Sequence, residues 1–219
     1  VTSTFDRVLD QIGDAVVSGA IAVGSRRSID DLVASTGASR SIVREAVRVL
    51  VALGLLTARR RVGVTVLGVR EWDVLDPRVV RWRLRGPDGD RVAVELRELR
   101  AAIEPVAAAA AARRAPLDAC ADRREALRTT ADELAAAATR DDRLDFVIAD
   151  VRFHALVLDL SGNALYRRLH QVVGQVLRER GSIRPDRHDA GLHLELADAV
   201  LDGRPDEAAS TMRAIVDRT

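Results

Sequence analysis

Between Ser28 and Val66 the spacing of apolar residues changes from a helical period to a strand period. Residues 28–36, SIDDLVAST, open with a serine suited to capping and two acids suited to a helix N-terminus. Gly37 ends that segment and Ser39 opens the next, SRSIVREAVRVLVA. Its apolar residues Ile42, Val43, Ala46, Val47 and Leu50 fall on one face. Beyond Gly54 the pattern alternates: LLTARR, a turn at RVG, then VTVL. That reads as a β-hairpin with Arg59, Arg60 and Arg61 near its tip. A further helix over 4–19 precedes the pair. Helix, helix-turn-helix and hairpin together predict a winged helix-turn-helix.

The rest of the chain keeps the helical period. The spacing predicts helices near 75–85, 91–114, 117–138, 142–160, 164–181, 187–202 and 205–217, separated by Gly-, Pro- and Ser-containing breaks. Aromatic residues make up only 3% of the 219-residue chain, and the alanine runs at 107–112 and 135–138 suit closely packed helices. The expected fold is mainly α: a winged helix-turn-helix domain over 1–68, a linker over 69–74, and an all-helical bundle over 75–219.

Charge separates the two parts. Residues 1–70 hold 10 Arg against 6 acids, whereas the remainder holds 24 against 27. A local basic patch on a near-neutral chain is the footprint of a nucleic-acid-binding module joined to something else. On the helix after Ser39, Arg40, Arg44 and Arg48 are spaced four apart, a like-charge row that costs an isolated helix stability. A solvated face would look the same; its place on the second helix of a helix-turn-helix, beside a basic wing, favours DNA. That helix enters the major groove with its N-terminal residues nearest the bases. Arginine can grip guanine O6 and N7, and Ser39 and Ser41 lie where backbone amides suit phosphate.

The stretch IDDLVASTGASRSIVREAVRVLVALGLLTARRRVGVTV (29–66) resembles the winged helix of GntR-type bacterial transcription regulators, most specifically in SR-x-x-VREA followed by L-x-x-x-GLL. The resemblance implies that Arg40 and Arg44 with the neighbouring serines contact an operator, and that Gly63 shapes the wing. It also implies an acid followed by an arginine where this chain has Ile29 and Asp30; either Arg26 or Arg27 supplies that contact, or the operator differs. ELRELRAAIEPVAAAAAARRA (95–115) and DVRFHALVLDLSGNALYRRL (150–169) resemble the FCD effector domain of the FadR branch. The connector WDVLDPRVVRWRL (72–84) is similar to the galactonate-operon repressors of that branch. The resemblance implies a homodimer that binds a small acid, such as a sugar acid like galactonate or gluconate, often beside a divalent metal (Zn, Ni or Mn).

Asp150 and His154, four apart on one helix, can reach a single ion, and His193 lies on a later helix. Such a set leaves coordination positions open, although an Asp and a His at this spacing also form an ordinary hydrogen-bonded pair. The resemblance implies one more histidine on the last helix, where Ile215 stands; His188 is a possible substitute. Arg100 is the expected anchor for a carboxylate, with an ion pair to Glu104 as its alternative. Asn163 is expected to cap a helix and His170 to be packing or surface. The set Asp150, His154 and His193 also leaves room for a metal-dependent enzyme, but the chain shows no clear nucleophile, phosphate loop or separate base. A ligand-free architectural DNA-binding protein is the other alternative. One cysteine, no apolar run long enough to span a bilayer and an acid-bearing N-terminal stretch lead to the expectation of a cytoplasmic protein with no membrane partner.

Overall fold

The computed structural model describes residues 3–59, 63–115, 120–179 and 185–218. The chain divides after Val92 into two compact units.

The first unit begins with α1 (Thr4–Val17), capped by Ser3. A short strand β1 (Arg26–Arg27) leads to α2 (Ile29–Thr36), where Ser28 and Asp31 form a reciprocal capping box and Gly37 closes the helix in the left-handed conformation. Helix α3 (Arg40–Ala52) starts from Ser39, whose hydroxyl accepts from the Ile42 N–H. Strands β2 (Leu56–Arg59) and β3 (Gly63–Val66) pair antiparallel, Leu56 opposite Val66 and Arg59 opposite Gly63. β1 adds to the free edge of β3, with Arg26 opposite Thr65, giving the order β1-β3-β2. The apolar stripe expected for α3 is buried at Val43, Ala46, Val47 and Leu50, with Ile42 partly so. It packs against Leu9 and Ile12 of α1 and against Leu56, Val64 and Val66 of the sheet.

Helix α4 (Pro77–Arg85) falls in the stretch expected for the helical bundle over 75–219, and it packs on α1 within the first unit. Its Val79 and Trp82 belong to the core of the first unit, and the Trp82 indole N–H donates to Asp10 Oδ1 at 3.0 Å. Arg81 pairs with the same carboxylate.

The second unit contains most of α5 (Gly89–Arg114), α6 (Ala121–Arg140), α7 (Arg143–Leu160), α8 (Ala164–Glu179), α9 (Arg187–Leu201) and α10 (Pro205–Asp217). Helix α5 runs unbroken through Pro105. Alanines 108, 111 and 112 of α5 are fully buried with Leu127, Phe153, Leu196, Met212 and Ile215 from the other helices. Small side chains there let helix axes approach closely while Leu and Phe fill the gaps. Among the described residues no helix is long and apolar enough to cross a membrane.

Candidate functional site: a basic recognition face and a buried Asp-His-His centre

Two candidate sites lie in the two units. In the first, Arg40, Arg44 and Arg48 project from the exposed side of α3, as their spacing implies. Arg40 pairs with Asp30 of α2, and Arg48 Nη1 donates to Glu45 Oε1 at 2.6 Å. Arg44 forms no ion pair or hydrogen bond with the described residues. Arg44, Arg48, Arg59 and Gly63 line a groove of about 510 Å³ between α3 and the wing. Gly63 has φ +91°, and a Cβ there would come within 2.7 Å of the Arg27 carbonyl oxygen, so the close approach of β1 to the wing requires glycine. Arg26 and Arg27 are exposed on the edge strand beside it. Ser39 and Ser41 hydroxyls lie 3.1 Å apart at the start of α3. Arg60 and Arg61 lie outside the described residues.

In the second unit the three expected metal ligands converge. Asp150 and His154 come from successive turns of α7, and His193 comes from α9. One donor atom from each lies within 4.8 Å of the other two. Asp150 Oδ1 is 3.3 Å from His154 Nε2 and 3.1 Å from His193 Nε2. All three side chains are buried. The far nitrogen of each imidazole also faces an oxygen: His193 Nδ1 is 2.8 Å from the Asp189 carbonyl oxygen in an aligned hydrogen bond, and His154 Nδ1 is 2.6 Å from Glu104 Oε2, close enough for an ion pair but without the alignment of a hydrogen bond. The acceptor on the Nδ1 side of His193 favours a proton there and turns its Nε2 lone pair inward, the arrangement that orients imidazole ligands; an ion at the centre would displace the Nε2 proton of His154. His154 Nε2 is buried without an aligned hydrogen bond; its approach to Asp150 has the distance but not the angle of one. The Phe153 ring packs edge-on against both imidazoles, at centroid distances of 6.1 and 5.0 Å.

Sequence spacing marks Glu104 only as a partner for Arg100, and it does accept from Arg100 Nε at 2.7 Å. It also faces His154 through its other oxygen. The result is a buried chain, Arg100–Glu104–His154–Asp150–His193. Burial pushes the Glu104 carboxyl up, but the facing charges of His154 and Arg100 outweigh it and hold the group down to about 2. Burial pulls His154 down, but Glu104 and Asp150 on its two sides bring it up to about 9. Asp150 is likewise held well below the usual carboxylate range, its two histidine partners overcoming the effect of burial. The link between Glu104 and His154 joins α5 to α7 across 50 positions, a pairing that local spacing does not reveal.

Ile215 is fully buried in the apolar cluster with Phe153 and Met212. His188 is exposed at the start of α9, and the ion-holding group among the described residues consists of Asp150, His154 and His193 alone. His170 is half-exposed, its Nδ1 close to the Arg167 carbonyl oxygen at 2.6 Å. Asn163 caps α8, accepting from the Leu165 N–H at 2.9 Å.

Residues 4–66 match the gntR family of bacterial regulatory proteins, and residues 95–218 match the FCD domain. The chain belongs to the GntR family of bacterial regulators and carries an FCD domain. It is therefore a DNA-binding transcription regulator. It is 30% identical over 174 residues to a galactonate operon transcriptional repressor of Escherichia coli, spanning 79% of this chain and 73% of that protein. It is 28% identical to a probable D-xylose utilization operon transcriptional repressor of Paenarthrobacter nicotinovorans, over 94% of this chain and 83% of that one. Among solved structures, a Streptococcus agalactiae GntR protein shares the fold at a TM-score of 0.54 and 23% identity, with 97% of each chain covered.

Proposed function

We propose that this GntR-family regulator is a ligand-responsive repressor. Two copies form a homodimer and place their α3 helices in successive major grooves of a pseudo-palindromic operator. Arg40, Arg44 and Arg48 of α3, with Ser39 and Ser41, face the DNA; Arg26, Arg27, Gly63 and the wing arginines 59, 60 and 61 lie against its backbone or minor groove. The effector is a small carboxylic acid, of the hexonate or related sugar-acid class, taken up by the helical unit. The similarity to repressors of a galactonate and a xylose operon supports the sugar-acid class.

The observation that carries the effector site is the buried convergence of Asp150, His154 and His193, with His193 held from behind by the Asp189 carbonyl and His154 faced from behind by Glu104. Two imidazoles and one carboxylate fit a divalent metal, and the Nε2 of His154, which like its Nδ1 is buried without an aligned hydrogen bond, would be satisfied by such an ion on losing its proton. Zn, Ni or Mn held there would supply a Lewis-acid point for a carboxylate or hydroxyl ligand. With Ile215 where a further histidine is implied, this chain contributes three ligands and leaves more of the coordination sphere to its effector. Arg100, 1% exposed and joined to the centre through Glu104, supplies the positive charge that a carboxylate effector meets.

Binding of the acid releases DNA only if it favours one dimer arrangement over another, because a ligand with equal affinity for both shifts nothing. Thermal unfolding against a panel of hexonates, with and without EDTA, tests the reading. An acid at about 100 times its dissociation constant adds ~2.7 kcal/mol of stability. The expected result is a raised midpoint with one acid, lost in EDTA. A rise indifferent to EDTA removes the metal, and no rise with any acid removes the sugar-acid class.

A further inference from the structure

The ion pair between Asp30 and Arg40 joins the first turn of α2 to the first residue of α3, on the face that the proposed function turns toward DNA. Neither a stability role nor a capping role accounts for it. The two side chains are 70% and 60% exposed, and exposed pairs of this kind contribute little to stability. The cap of α2 is already made by Ser28 and Asp31. Asp30 pairs with Arg40 and follows Arg26 and Arg27 closely in the chain, and a negative charge there weakens attraction to phosphates. Beyond its favourable place at the N-terminus of α2, an acid that lowers general DNA affinity while holding the first arginine of the recognition helix acts through selectivity.

We infer that Asp30 is a specificity-determining residue: its carboxylate holds the Arg40 guanidinium so that Arg40 reads a base edge rather than a phosphate. The contact uses Nη1 of Arg40. The opposite edge, Nε and Nη2, keeps the paired donors that match guanine O6 and N7. A guanidinium held in one orientation loses less side-chain freedom on docking. Freed of Asp30, the same side chain reaches phosphates, which every sequence offers equally.

This inference rests on the DNA-binding reading, and the experiment separates the two. Wild-type protein is used to select duplexes from a randomised pool. Dissociation constants are then measured for the enriched duplex and for a scrambled one, at fixed salt, with wild type, Asp30→Asn, Asp30→Glu and Arg40→Lys. Helix content of each variant is checked by circular dichroism. In Asp30→Asn the scrambled duplex binds several-fold tighter, and the ratio of specific to non-specific affinity falls about tenfold. Asp30→Glu, which keeps the charge, recovers part of that ratio. Arg40→Lys loses the paired donors, and adding Asp30→Asn to it lowers the ratio no further, as expected for residues that act together. If Asp30→Asn tightens both duplexes by the same factor, or changes neither, Asp30 does not determine specificity and the inference is overturned. A pool left unenriched by wild type overturns the DNA-binding reading, and this inference with it.

Discussion

The indole of Trp82 lies against Gly13, so close that a Cβ at position 13 would come within 2.6 Å of ring atoms Cε2 and Cζ2. Both residues are buried, Gly13 in the middle of α1 and Trp82 on α4. The contact explains why a glycine is kept inside a helix, where it costs up to ~1 kcal/mol relative to alanine. It also fixes α4 to the DNA-binding unit, reinforced by the indole N–H bond to Asp10.

Gly13→Ala is therefore expected to destabilise this unit despite the better helix propensity of alanine. Overpacking a closed core costs about 1–3 kcal/mol, and the aromatic ring cannot retreat as a flexible chain end would. Urea unfolding followed by Trp82 fluorescence reads the effect. Trp72 also reports, so a Trp72→Phe background isolates the signal. A variant as stable as the parent would show that α4 can shift away from α1 at little cost.

The Glu104 carboxylate makes a second stability prediction. It is fully buried, accepts from Arg100 through one oxygen and faces His154 through the other. Breaking a buried charge pair from one side costs roughly 3–5 kcal/mol, because the remaining charge stays desolvated. Glu104→Ala should lower the unfolding midpoint strongly, and Glu104→Gln should do so nearly as much, since shape is kept and charge is lost. A chelator present throughout both scans separates this loss from any loss of bound metal. A Glu104→Gln protein with wild-type stability would mean that the pair is not buried as a pair.

Much of this architecture is legible in local spacing, and what is hidden is non-local. The apolar stripe of α3 and the alternation around residues 55–66 predict the winged helix because each element exposes one face and buries the other. Helices α7 and α10 begin and end within a residue or so of their expected limits, since Asp142, Ser161 and Pro205 mark them chemically. Strand β1 is two residues long, too short for any period, and only its pairing with β3 reveals it. The attachment of α4 to α1 is hidden for a related reason: its stripe says which face is buried, not against what. The same limit applies at the buried centre. Asp150 and His154 are visible as an i, i+4 pair, but Glu104 is placed behind His154 by helix packing alone.

Metal content tests the centre directly. Wild-type protein, exchanged into metal-free buffer after exposure to Zn, Ni or Mn, should retain near one equivalent of at least one of them by elemental analysis. His193→Ala removes one of three ligands and should lose that metal at the same washing stringency. Asp189→Ala should not, because the contact to His193 Nδ1 is made by the main-chain carbonyl of residue 189 and not by its side chain. Loss of an outer partner typically weakens metal affinity 10- to 100-fold, so Glu104→Gln should retain less metal than wild type but more than His193→Ala. Equal retention in all four proteins would place the bound ion elsewhere.

On the DNA-binding face, Arg44 and Arg48 should behave differently although both are exposed on α3. Arg44 is one turn into the helix, has no partner among the described residues and lines the groove toward the wing. Arg48 lies a turn further from the N-terminal end that approaches the bases, and Glu45 already engages it. Arg44→Ala is expected to weaken binding to a selected duplex by about 1–3 kcal/mol, the range for one base-reading arginine. Arg48→Ala should cost less and should weaken selected and scrambled duplexes alike. A salt series distinguishes the two roles, because losing a phosphate contact lowers the slope of log affinity against log salt by about one unit, whereas losing a base contact leaves it nearly unchanged. If Arg44→Ala lowers the slope and spares the discrimination between duplexes, Arg44 binds the backbone, and base reading on this helix falls to Arg40.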